Sequence, residues 1–283
     1  MLVVLTLLFI LSGAAGLFYE SVWSRYLGLF VGHNAYAQVI VLVIFLGGMA
    51  IGAMLIGPVS TRLKEPLFGY AMVEALVGLI GLFFQDIYVG VTNWAYASVF
   101  PSLAGSGSLT LAKWGIAALL ILPQSILLGT TFPLMSAGAL RRLSRAPGRT
   151  LAVLYFANSF GAAIGVLIAG FYLVDAVGLP GTILAATILN FVVAVGAVVA
   201  SKYVPAEDQA SARVTDERSR GSVRVAQVGP SLEILLLAVA AGTAVASFIY
   251  EIAWIRMLSL VLSSATHSFE LMLSAFIDRK SVV

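Results

Sequence analysis

The sequence predicts an all-α, polytopic transmembrane helical bundle of about seven to eight spans, and three observations carry that expectation. Of the 283 residues, 60% are apolar and 10% charged, against about 25% charged in soluble domains. Mean hydropathy is accordingly +1.03. The apolar residues gather into runs near the roughly 20 residues that cross a bilayer as a helix. None of the runs has the short alternating pattern of an outer-membrane strand, so helices are the spanning solution that satisfies the backbone. A water-soluble globular domain is excluded.

The runs lie near 2–22, 35–57, 67–84, 112–138, 151–173, 180–200 and 232–253, with a partial eighth at 266–277. The first opens with a short apolar stretch that ends in Ser12-Gly13-Ala14-Ala15, a small-residue pattern that also marks signal-peptide cleavage. It lacks a basic leading segment, and the pattern that follows it recurs far inside the chain, so it reads as a retained helix. The second holds Gly48 and Gly52, and the fifth Gly161 and Gly165. This G-x-x-x-G spacing lets helix backbones approach closely.

The third span carries Glu74. After it, Trp94, Tyr96 and Phe100 form an aromatic, weakly polar stretch that suits an outer membrane interface, the alternative being a loose extracellular loop. The fourth is interrupted by Pro123, Gly129, Thr130, Thr131 and Pro133, which predicts a kink of the kind that lines cavities. Asn158 and Ser159 in the fifth and Asn190 in the sixth supply polar atoms for bonds between helices.

Charge sets the orientation. Arg62 and Lys64 follow span two, Arg141, Arg142, Arg145 and Arg149 span four, and Lys202, Arg213, Arg218, Arg220 and Arg224 span six, together eleven of sixteen basic residues. The other connections hold Lys113, with Asp86 and Asp175 nearby. The positive-inside rule therefore puts the N-terminus in the cytoplasm of a multi-pass inner-membrane protein. The net charge of +3 and pI of about 9.2 report this topology and not nucleic-acid binding.

An internal repeat appears on sliding the chain by 231 residues: Tyr19, Glu20, Trp23 and Arg25 match Tyr250, Glu251, Trp254 and Arg256. Residues 1–200 then form a first six-helix repeat, 201–231 a cytoplasmic polar linker, and 232–277 the start of a second, on the parallel six-plus-six plan of major facilitator transporters. The charged hexapeptide 278–283 breaks an apolar span and reads as a non-native tail whose codons match a sequencing adapter.

Ionisable residues inside a membrane are expensive and mark candidate sites. Glu20 and Arg25 lie five apart, too far around one helix to pair well. The repeat offers Glu20 with Arg256 and Glu251 with Arg25, as a structural clamp or interfacial anchor, or as a gating or cation-binding group. Glu20 falls about 28 Å from Met1 along the helix, toward the outer boundary. Glu74 has no partner in its own helix and is either a proton-coupling group or a neutral hydrogen-bonded acid. Asn158 completes the candidate set.

There are no cysteines and two histidines, which leaves no thiolate or histidine metal site. No phosphate loop, dinucleotide fingerprint or nucleophile elbow is present, so neither cofactor nor catalytic residue is assigned.

Four stretches carry a family resemblance: S-G-A-A-G-L-F-Y-E-S-V-W-S-R at 12–25, F-L-G-G-M-A-I-G at 45–52, L-L-G-T-T-F-P-L at 127–134 and L-Y-F-A-N-S-F-G-A-A-I-G at 154–165. Together they resemble the membrane domain of bacterial integral-membrane spermidine synthase-like proteins. That resemblance implies a soluble polyamine aminopropyltransferase domain elsewhere in the full-length protein, and a membrane part tied to polyamine metabolism or transport. A stand-alone secondary transporter of a small cationic solute and a non-transporting scaffold are the alternatives. The expected partners are the lipid bilayer and a cation such as a polyamine, with self-association if the bundle is truncated.

Overall fold

The computed structural model describes residues 1–32, 34–103, 108–143, 146–203, 230–262, 271, 272 and 274. Every described element is helical: α1 (Leu2–Val31), α2 (Asn34–Ser60), α3 (Pro66–Trp94), α4 (Ser108–Arg142), α5 (Pro147–Ile168), α6 (Val174–Tyr203) and α7 (Pro230–Leu262). Residues 204–229 of the linker, most of the partial eighth span (all but 271, 272 and 274) and the tail 278–283 fall outside the described residues, as do the side chains of Glu251 and Arg256.

The helices are longer than the apolar runs that announced them. α1 has 30 residues, about 45 Å at 1.5 Å per residue, because Glu20, Trp23 and Arg25 do not end the span. They turn into protein: Trp23 is fully buried against Tyr19, Phe45 and Phe84, so it is no interfacial anchor. α1 stops at Gly32, whose φ of 84° is left-handed and whose N–H bonds Gly28 O at 3.0 Å.

α4 runs as one helix through Pro123 and Pro133. The break comes later, in the continuous helical stretch Pro147–Lys202, whose 56 residues would reach about 84 Å if straight. A π-helical segment, Ala169–Leu173, and Gly178 (φ 72°, ψ −179°) turn it back on itself. The directions are fixed by contacts. Along α1, Ile10 meets Gly161 and Ala14 meets Gly165 in parallel, while Leu8 meets Gly196 and Tyr19 meets Thr187 in antiparallel. α5 and α6 are therefore opposed legs.

An inverted repeat relates α1–α3 to α4–α6. α1 packs on α5 and α6 where α4 packs on α2 and α3, and α3 pairs with α6; exchanging the two triplets maps these pairs onto one another, with chain direction reversed. The G-x-x-x-G pairs sit at equivalent crossings. A Cβ on Gly161 or Gly165 would fall under 3.0 Å from the α1 backbone, and one on Gly52 likewise from the α4 backbone.

Two apolar clusters fill the interior, one around Tyr19, Trp23, Phe45 and Phe84, the other around Phe9, Leu67, Tyr70 and Met135. The outside is apolar as well: Val3, Leu29, Met54, Leu82, Leu119 and Val195 are all exposed. Such a surface belongs in a lipid bilayer.

The ends differ in charge. At one, Arg141 donates to Lys64 O (2.8 Å) and Thr61 O (2.7 Å), and Arg142 pairs with Glu65 at 2.7 Å and reaches Ser201 O. The α2–α3 connection, the end of α4 and the end of α6 are tied together there. At the other, the segment after α3 continues as helix and packs. Tyr96 donates to Phe30 O, Phe100 stacks near Phe30 and Tyr96, and Lys113 sits over the Phe100 ring and bonds Val31 O. The loose-loop alternative for this stretch does not hold.

Candidate functional site

A cavity of about 520 Å³ opens where the two halves of the inverted repeat meet, between α1, α2, α4 and α5. Ordinary van der Waals shape explains most of its wall: Leu42, Phe45, Leu46 and Met49 from α2 and Leu128 and Phe132 from α4. Gly13, Gly16 and Gly129 also line the cavity; Gly13 and Gly129 are there because the backbones of α5 and α2 pass too close for a Cβ. Its volume is in the range of small-molecule sites.

Polar groups on the wall are few. Ser12 and Glu20 come from α1, Thr131 from α4, and Tyr155, Asn158 and Ser159 from α5. Among the described residues, Glu20 is the wall's one acidic side chain. It is 1% exposed and lies eleven residues before the end of α1, about 16 Å inside that end. The apolar run that suggested a place near the outer boundary ends at residue 22, whereas the helix continues to Val31, so Glu20 lies within α1 and not at its end. Asn158 lines the same cavity from α5, half exposed, one face against Gly13.

Arg25 leaves the cavity. One turn and a half beyond Glu20 it reaches past the end of α5 and donates to Gly170 O at 3.2 Å, inside the π-helical segment. A π turn shifts carbonyls out of the regular ladder, and the guanidinium takes up one of them. The cross-repeat partners expected for Glu20 and Arg25, namely Arg256 and Glu251, lie outside the described side chains.

Glu74 sits behind the wall, fully buried on α3. Its partners come from other spans: Ser12 Oγ donates to Oε1 at 2.5 Å and Asn190 Nδ2 to Oε2 at 2.6 Å. Asn190 Oδ1 in turn accepts from the Tyr19 hydroxyl at 2.9 Å, which also lies 3.3 Å from Thr187 Oγ1. Nearby, Gln124 Nε2 donates to Val77 O while its Oε1, like the Tyr70 hydroxyl, is buried without a hydrogen bond among the described residues. These groups form a polar layer between the two apolar clusters. Ser12 belongs to both the layer and the cavity wall.

Ser12, Tyr19 and Thr187 were not singled out as site residues by sequence. A serine or threonine in an apolar helix is an ordinary event, and its meaning comes from what faces it. No protein-family model, curated protein or solved structure matches this chain.

Proposed function

We propose that this chain is the membrane portion of a spermidine synthase-like protein and that its cavity binds a small organic cation of the polyamine type for passage across the inner membrane. The carrying observation is Glu20: a carboxylate on the wall of an otherwise largely apolar cavity, at the seam of an inverted repeat. A cation entering such a site exchanges water for a charge-assisted bond in a low-dielectric setting. Transporters built from inverted repeats place their sites at the repeat interface. The spermidine synthase-like motifs point to the same class of solute, and Asn158 and Ser159 offer neutral oxygens for the cation's second end.

The full chain reconstituted in proteoliposomes takes up labelled putrescine or spermidine under this reading, and Glu20→Gln, which keeps the shape and removes the charge, lowers uptake at least tenfold, as loss of a buried ion pair worth about 2 kcal/mol or more requires. Uptake by the wild type equal to empty liposomes, or a Glu20→Gln variant as active as wild type, sinks it.

The basic end bearing Arg62, Lys64, Arg141 and Lys202 faces the cytoplasm in this reading, with the N-terminus beside it. The absence of cysteine makes the orientation easy to check. An impermeant maleimide added to intact spheroplasts labels Ser98→Cys, on the exposed segment after α3, and spares Thr61→Cys, in the α2–α3 connection. The opposite pattern reverses the topology.

A further inference from the structure

We infer that Glu74 is a proton-carrying site that communicates with the cavity through the Ser12 hydroxyl, so that passage of the cation is coupled to a proton. The cation half of this statement rests on the function proposed above; the proton half stands on geometry alone.

The geometry has three parts. Glu74 is fully buried, and among the described residues its hydrogen-bond partners Ser12 and Asn190, and the Tyr70 hydroxyl beside it, are all neutral groups. A carboxylate with no cation beside it is costly in such a place, so the group has reason to take and release a proton. Among the described residues, Ser12 is the one that both hydrogen-bonds Glu74 and lines the cavity. Finally, both protonation states can be satisfied with the heavy atoms where they are. The anion accepts from Ser12 and Asn190. The acid, protonated on Oε1, donates to Ser12 Oγ, whose own hydrogen then turns away toward the cavity.

The transfer balances without a co-reactant. The Oε1–H bond of Glu74 breaks as a new O–H bond forms on Ser12 Oγ, and the former Ser12 O–H bond breaks as a cavity water accepts that proton. The net change is one proton moved from Glu74 to water, leaving the carboxylate. The titratable groups around the acid are the Tyr19 hydroxyl from α1 and the Tyr70 hydroxyl from its own helix. α4 and α6 present Gln124 and Asn190, neither of which titrates.

Coupling follows from distance. Glu74 lies one hydrogen bond from Ser12, which is eight residues from Glu20 on α1, about 12 Å along the axis. A unit charge at that separation changes the binding of a cation about tenfold at an effective dielectric constant near 20. Release of the proton from Glu74 therefore favours the cation at Glu20, and arrival of the proton favours its departure.

Two measurements on the reconstituted full chain test this. In infrared difference spectra between acidic and alkaline buffer, wild type shows the C=O stretch of a protonated carboxyl that Glu74→Gln lacks. In Ser12→Ala the band persists, but its shift on transfer to deuterated water slows by about tenfold or more, as removal of a proton relay does. In transport, a pH gradient drives putrescine accumulation in wild type and not in Glu74→Gln, which still exchanges labelled for unlabelled putrescine.

A missing Glu74 band across the whole pH range, a Ser12→Ala exchange rate equal to wild type, or full pH-driven accumulation by Glu74→Gln overturns the inference. Should wild type carry no putrescine while the band and its dependence on Ser12 are present, the polyamine reading fails and the proton site stands.

Discussion

Gly52→Ala destabilises the detergent-solubilised bundle severely, whereas Gly47→Ala, five positions earlier on the same helix, leaves its melting temperature unchanged or raised. Both substitutions add one methyl group and both improve helix propensity by up to about 1 kcal/mol. They differ in what the methyl meets. At Gly47 no atom lies within 4 Å, while at Gly52 the new Cβ would sit under 3.0 Å from the backbone oxygen and carbon of Ile126. Backbone cannot rotate aside as a side chain can, so α2 and α4 must separate along their whole crossing.

Overpacking of this kind costs about 3 kcal/mol or more, a fall in melting temperature of roughly 6–12 °C. Gly161→Ala repeats the effect at the symmetry-related crossing, against Ile10 of α1. Equal melting temperatures for Gly47→Ala and Gly52→Ala would mean that α2 and α4 do not cross where described. The packing role read from G-x-x-x-G spacing holds at both pairs, and these two crossings also set the width of the cavity between them.

How much of this was legible before the structure depends on the kind of information each feature needs. Helical spanning segments are a property of local composition, and all six apolar runs through residue 200 became helices. Their ends were misplaced wherever a polar residue turned inward: nothing local distinguishes a Glu20 that faces lipid headgroups from one that faces a cavity. In the fourth span α4 stays helical through Pro123 and Pro133, while the positive φ of Gly178 makes a break that no residue pattern announced.

The inverted repeat was invisible for a different reason. Sliding a sequence against itself finds repeats that run the same way through the membrane and share residues, as Tyr19-Glu20-Trp23-Arg25 and its copy do. α1–α3 and α4–α6 share packing positions for small residues and little else. Glycine at matching crossings is too common a solution to register as a repeat. For the same reason Glu74 looked solitary: Ser12 and Asn190 are 62 and 116 residues away in sequence, and only the pairing of α3 with α1 and α6 brings them to it.

Asn190→Leu tests that polar layer with the second large effect. Leucine keeps the branching at Cγ, though it is larger, and removes both amide functions. Glu74 Oε2 then loses its donor and the Tyr19 hydroxyl its acceptor, with both groups buried and beyond the reach of bulk water. A single hydrogen bond between membrane helices averages about 0.6 kcal/mol, because the unfolded chain in lipid finds other partners. Here two bonds go at once, and one of the stranded groups is a carboxyl, so the loss is about 2–3 kcal/mol. Thr187 limits the damage on the tyrosine side, since its oxygen is already close enough to accept. Most of the cost therefore lies with Glu74, and removing the acid relieves it: Glu74→Leu together with Asn190→Leu is less destabilised than the two single changes added, by about 1 kcal/mol or more. Strict additivity in that cycle, measured by thermal or denaturant unfolding in detergent, would show that Asn190 and Glu74 do not meet. It would also remove the neutral scaffold on which the proton site at Glu74 depends.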